Sequence, residues 1–295
     1  MRFLSFILIF SLLLCGCGVN KDDITSSNDT DVVEDSQVLP ELTVIFGDVG
    51  KADFILLSCG GEYAVIDAGY KKSYDYIEKT LLKQGIEKLK FSVATHPDKD
   101  HIGGMAKLIK NFDIGQLYTS PRANDSDEYE KMIKRANEKN VPIVTAKVGD
   151  VLTLGGAKLT TYSPDTSLLV LNDDNEASVV QMLEYGDFRM LLMGDGQLIC
   201  ESVLMNSGLD LKADVIKIAH HGSTRSSTEG FLKTVGAKYA VISAGNDDGE
   251  EYPSKAVVEK ISDIGMDIYR TDRDGGIVLK TDGVNIKFER GYTPE

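Results

Sequence analysis

The chain holds four histidines, and they fall into two tight stretches, His96 with His101 and His220 with His221. Both stretches follow short apolar runs and are flanked by glycine. Histidines kept for packing would be scattered, so the clustering points to a site. The first stretch reads Thr95-His96-Pro97-Asp98-Lys99-Asp100-His101-Ile102-Gly103-Gly104 and offers four possible ligands within six residues. Imidazole and carboxylate together suit Zn, Mn or Fe. Alternate positions on a tight loop can face two different centres. Gly103 and Gly104 would let the backbone leave a crowded place.

The elements that must position these groups are short. Residues 42–46, 54–57 and 63–66 read as strands, with a hairpin turn at Cys59-Gly60-Gly61-Glu62. Residues 73–84 read as an amphipathic helix, 91–95 as a buried strand leading straight into His96, and 105–110 as a helix opened by the two glycines. A charged helix over 126–140 follows, then short strands at 141–145 and within 151–162. Strands at 178–184 and 190–193 pair around the turn Tyr185-Gly186-Asp187, and 196–207 suggests a helix. Residues 215–219 form a strand running into His220; 238–243 is a strand, 254–264 a helix, and the chain ends as β structure from 267 to 288. Strands and helices recur in two halves, and two sheets between helical layers would bury that pattern as an α/β fold. No linker divides residues 41–295.

The formal net charge of −14 argues against a broad electrostatic grip on nucleic acid. It does not exclude a nucleic-acid substrate, because bound cations reverse the local sign of a site. The first 16 residues, Arg2 followed by the apolar run 3–14, read as a secretory signal too short to span a bilayer. Leu14-Cys15-Gly16-Cys17 resembles a bacterial lipobox, with Cys17 as the lipidated residue. Residues 17–40, rich in Asp, Ser, Thr and Asn, then serve as a flexible tether. The expected product is an exported domain held to the cell membrane by lipid on Cys17, facing the extracytoplasmic side. Cys59 and Cys200 could pair or stay as two buried thiols.

His96 to His101 resembles the metallo-β-lactamase superfamily signature His-x-His-x-Asp-His, with Asp98 in the second ligand slot. His-x-Asp-x-Asp-His is similar to the branch that includes the hydrolase domain of ComEC/Rec2-type competence proteins. Asp48-Val49-Gly50-Lys51-Ala52-Asp53 resembles that branch's opening Asp-Val-Gly-Gln-Gly-Asp, and Ile66-Asp67-Ala68-Gly69 its Ile-Asp-Ala-Gly turn. Asn175-Glu176-Ala177-Ser178, Gly194-Asp195, Ile218-Ala219-His220-His221-Gly222-Ser223 and Arg270-Thr271-Asp272-Arg273-Asp274-Gly275 follow in the family's order.

The resemblance implies a four-layer αββα metallo-β-lactamase sandwich and two divalent metal ions, Zn or Mn. His96 and Asp98 would bind the first ion. Asp100, His101 and His220 would bind the second, and Asp195 would bridge both. Asp67 would orient a ligand from behind. Asn175 would be a weak ligand or a substrate contact. Asp100 and His221 would be catalytic, His221 facing substrate and donating to a phosphate oxygen or the leaving group. Ser223 suggests a phosphate contact. Tyr252 stands where relatives carry a His before Pro, and a phenol cannot copy an imidazole's acid–base behaviour near neutral pH. Asp98 hardens the first centre and moves its preference from Zn toward Mn.

The implied chemistry is hydrolysis by a hydroxide shared between two metals. The expected protein is a surface-anchored hydrolase, phosphodiesterase- or nuclease-like, acting on a small or polymeric ester, with nucleic acid among the candidates. The alternative is a non-catalytic metal- or ligand-binding lipoprotein that retains the fold. Oligomeric state is left open.

Overall fold

Ile45, Leu56 and Val65 stand opposite one another across three neighbouring strands, as do Val44, Leu57 and Ala64 one step away. The first row packs toward helices and the second toward another sheet, and both rows are buried. A sheet covered on both faces needs apolar residues at every position, which is why these strands read as continuous apolar runs rather than alternating ones.

The computed structural model describes residues 39–247 and 250–295. The leader, Cys17 and the tether up to residue 38 lie outside them. One sheet has eight strands in the order Ile286–Tyr292, Gly276–Thr281, Leu42–Phe46, Phe54–Cys59, Glu62–Ala68, Phe91–Ala94, Leu117–Thr119 and Ile143–Thr145. The other has seven: Asp267–Arg270, Tyr239–Ile242, Val215–Lys217, Phe188–Leu192, Val180–Tyr185, Ala157–Ser163 and Val151–Leu154. Their inner faces meet through Phe46, Leu57, Phe91, Leu183, Phe188 and Val241. Helices Tyr74–Lys83, Met105–Asn111 and Asp127–Glu138 cover the outside of the first sheet. Helices Leu198–Asn206, Glu229–Val235 and Lys255–Ile264 cover the outside of the second. The result is the four-layer αββα sandwich.

The part of each sheet that matters for chemistry is parallel. Glu62–Ala68, Phe91–Ala94 and Leu117–Thr119 run the same way in the first sheet. Phe188–Leu192, Val215–Lys217 and Tyr239–Ile242 do so in the second. Asp67, His96, Asp195, His220 and Ser243 all lie at or just beyond the carboxyl ends of these strands, where open α/β sheets bind ligands. The Val179 N–H donates to the Thr95 carbonyl at 2.8 Å, tying the two halves together beside them.

Three local readings change. The stretch read as a tight loop is a helical turn, Lys99–Ile102, begun after extended Asp98. Gly103 has helical backbone, and glycine serves there for close approach. An added Cβ on Gly103 would lie 2.4 Å from the Lys99 carbonyl oxygen, and one on Gly104 2.3 Å from that of Ala68. Helix Glu229–Val235, capped by the Thr228 hydroxyl, was not anticipated. Cys59 and Cys200 are both buried free thiols, one between the sheets and the other under the second helical layer.

Candidate metal centre

Asp67 organises the first side of the site. It sits in left-handed backbone (φ 58°), unusual without glycine, and its side chain is fully buried. The Thr95 N–H and hydroxyl donate to its two carboxylate oxygens at 2.8 and 2.7 Å. His101 Nδ1 donates to the same carboxylate at 2.7 Å. The Thr95 oxygen is then free to accept from His96 Nδ1 at 3.2 Å. Across the cleft, His221 Nδ1 donates to the Ser243 carbonyl at 3.1 Å. All three imidazoles therefore have Nδ1 engaged from behind, which leaves a bare Nε2 lone pair on each.

Those lone pairs converge on Asp195. Its Oδ2 lies 3.3 Å from His101 Nε2, 3.5 Å from His221 Nε2 and 3.9 Å from His96 Nε2. Asp100 Oδ2 is 3.4 Å from His221 Nε2, and Asp98 Oδ2 is 3.6 Å from His96 Nε2. The Ser178 hydroxyl accepts from the Asp195 N–H at 3.1 Å and fixes that turn. His96, His101 and His221 Nε2 and Asp195 Oδ1 are buried without a hydrogen-bond partner. Each such atom costs about 1–3 kcal/mol if nothing meets it. His96, His101 and Asp195 form one group with ligand spacing, and Asp100, His101 and His221 another. A donor set of imidazole nitrogens and carboxylates, oriented from behind and bare in front, fits divalent cations.

Electrostatics agree with that fit. Burial opposes ionisation of Asp195, but His101 and His221 outweigh it and hold the carboxyl well below the ordinary range. Burial likewise opposes protonation of His101, yet Asp195 and Asp67 raise its pKa well above an ordinary imidazole's. Without cations, Asp195 and Asp67 draw a proton onto the His101 ring instead.

His220 and His221 exchange the places expected of them. Both lie in left-handed backbone, at φ 49° and 53°. That conformation drives His221 inward, fully buried against Asp100 and Asp195 rather than lining the open cleft. His220 instead lines the open cleft, with Nε2 4.0 Å from Asp195. Burial lowers its pKa. Ser223 does not line the cleft; its hydroxyl accepts from the Arg225 N–H at 3.3 Å and shapes the loop. Asn175 Oδ1 is buried without a partner. Its acidic loop is not loose surface: Arg122 donates to Asp174 at 2.8 Å and Asn172 at 3.1 Å, and Glu176 caps helix Leu198–Asn206 through the Cys200 N–H at 2.7 Å. Tyr252 lines the cleft edge-on to His221, ring centroids 6.5 Å apart.

The cleft has a volume of about 600 Å³. Sequence reading passed over Lys51, whose Nζ lies 3.4 Å from Asp100 Oδ2 and 4.8 Å above the Tyr252 ring. The one signal was its place inside the Asp48–Asp53 motif. It also passed over Asp53 and Lys217, a fully buried pair 2.9 Å apart, one from each half of the fold. Burial works against the Asp53 charge, and Lys217 with His221 overrides it, holding that pKa low.

Residues 47–246 match the family model described as the metallo-beta-lactamase superfamily. ComE operon protein 3 of Bacillus subtilis is 30% identical over 230 residues, covering 76% of this chain and 29% of that protein. Competence protein ComA of Neisseria gonorrhoeae is 26% identical over 255 residues, covering 85% of this chain and 34% of that protein. The chain thus spans about a third or less of these relatives' length. Among solved structures, the metallo-beta-lactamase fold protein YhfI from Bacillus subtilis superposes with a TM-score of 0.55 at 13% identity, over 82% of this chain and all of that one. That likeness speaks to fold.

Proposed function

Since the chain belongs to the metallo-β-lactamase superfamily, we propose that it is a metal-dependent hydrolase of phosphodiester or related ester bonds. The observation that carries this is the convergence of bare, buried imidazole nitrogens on Asp195. In this reading His96 and Asp98 would hold one divalent ion and Asp100, His101 and His221 another, with Asp195 beside both groups. Bound there, the two ions, Zn or Mn, supply Lewis acidity and a water made acidic enough to attack at neutral pH.

The chain's own residues do the rest. Asp67 and the Ser243 carbonyl keep His101 and His221 in the tautomer that presents Nε2. The depressed pKa of Asp100, where burial is outweighed by His221 and His101, keeps that carboxylate charged. Lys51, His220 and Tyr252 line the cleft from which an ester enters. Lys51 offers a cation to an anionic substrate, and the Tyr252 hydroxyl offers a donor where relatives place an imidazole. His220, its pKa lowered by burial, stays a neutral imidazole at neutral pH and offers the cleft a proton acceptor. Lipid on Cys17 would hold this domain at the extracytoplasmic face; Cys17→Ala should release the protein from the membrane fraction.

The test is turnover of generic phosphodiesters, DNA and lactones by Mn- and Zn-loaded protein, beside Asp100→Asn. Hydrolysis of a phosphodiester by wild type, lost in the variant, supports the reading. Wild type and variant alike on every substrate would sink it. Metal bound without turnover would favour the non-catalytic binding protein, the reading that Tyr252 in place of an imidazole makes worth testing.

A further inference from the structure

Helices Met105–Asn111 and Asp127–Glu138 leave a groove of about 420 Å³ between them. Six bases line it (Lys71, Lys107, Lys110, Lys131, Lys134 and Arg135) against two acids, Glu128 and Glu138. The chain as a whole carries −14, so this groove runs against the sign of the chain. Gly103 and Ala106 also line the groove and present no long side chain to fill it. Ion pairs offset the charge only in part. Lys131 meets Asp127 at 2.6 Å and Arg135 meets Glu138 at 2.7 Å, both at exposed positions where such pairs exchange readily for another anion. Among the described residues no ion pair holds Lys71 or Lys110, and Lys134 is 4.0 Å from Glu138 with most of its side chain exposed.

The groove adjoins the metal cleft. Glu128 lines both, and Lys71 directly follows Tyr70, which lines the cleft. An anion long enough to enter the cleft at one point would meet the groove at another.

We propose that the groove binds the non-scissile phosphates of a linear phosphodiester polymer while one ester group occupies the cleft. This rests on the hydrolase reading and narrows it from esters in general to polymeric phosphodiesters. A concave, cation-lined channel without protruding apolar anchors suits a strand better than a bilayer surface. A nucleic-acid strand and a polyol-phosphate chain share the required chemistry of regularly repeated phosphodiester charge.

The test is fluorescence anisotropy on metal-free full-chain protein, so that no turnover is needed. The probes are a labelled oligothymidylate and a labelled poly(glycerol phosphate), with anionic phosphatidylglycerol vesicles as a third arm. The variant is Lys110→Gln/Lys134→Gln, and the control for net charge is Lys233→Gln/Lys255→Gln, all at exposed positions. Wild type should bind at least one polymer, with affinity falling about tenfold between about 50 and 200 mM salt if roughly two or three phosphates are neutralised. The groove variant should bind about tenfold more weakly with a shallower salt slope, and the control should match wild type. The polymer bound more tightly identifies the source of the phosphates. Equal weakening in both variants, no polymer binding by wild type, or binding confined to vesicles would overturn the proposal. If groove-dependent binding is found but no ester is cleaved by loaded protein, the hydrolase reading fails and the groove stands.

Discussion

The floor and the wall of the cleft are built on different principles. On the floor, each group is held by partners it cannot leave. Asp67 receives three donors, His221 leans on a strand-end carbonyl, and Lys217 from the second sheet is buried on Asp53 from the first. On the wall, Lys51, His220 and Tyr252 line the open cleft and meet loosely, at distances such as 4.8 Å between Lys51 Nζ and the Tyr252 ring. The difference separates two tasks. The floor fixes where a cation can sit, and the groups that carry it are buried and hydrogen-bonded. The wall decides which ester fits, and it can change without disturbing the core.

The sharpest way to break this contrast is on the floor. Lys217→Met should leave the Asp53 carboxylate buried without its cation and cost about 3–5 kcal/mol, read from urea unfolding. A loss below about 1 kcal/mol would mean the pair is no part of the floor. Asp67→Asn should weaken metal binding about 10–100-fold by freeing the His101 ring, with little change in fold, read by competition against a chelating dye. Metal uptake should also follow pH. His101 holds its proton above the ordinary imidazole range, and that proton must leave before Nε2 can bind a cation. Affinity should therefore fall as pH drops, by up to about tenfold per pH unit for each proton displaced, visible as proton release on titration. On the wall, Tyr252→Phe should alter turnover by roughly tenfold or less and leave metal content unchanged, since Tyr252 lines the cleft and is not among the grouped imidazoles and carboxylates. Metal loss in that variant would erase the distinction between wall and floor.

Much of the floor was legible because its chemistry is local. His96 to His101 lie within six residues, and the strand before them is a plain apolar run. What was not legible depended on direction rather than identity. His220 and His221 are neighbours, and nothing in their spacing says which ring points inward. Left-handed backbone at both residues decides it, and that follows from how the second sheet packs. Asp100 and His101 sit on a helical turn because Gly103 and Gly104 press onto the backbone near Ala68, a contact between distant segments. Lys51 and Lys217, one in a motif and the other in a strand, show no role in the sequence; the fold brings each against a carboxylate. The helix Glu229–Val235 is short, holds a glycine and follows a serine-rich stretch, and its start is set by a Thr228 cap.

The claim at the centre of this account is that Asp195 gathers the buried imidazoles around divalent cations. Metal content of purified wild type and Asp195→Asn, measured by mass spectrometry after dialysis against Zn and Mn in turn, tests it directly. The account predicts about two ions per wild-type chain and a loss of at least one in the variant, with both proteins folded by circular dichroism. Wild type without metal, or a variant that holds as much as wild type, would contradict it.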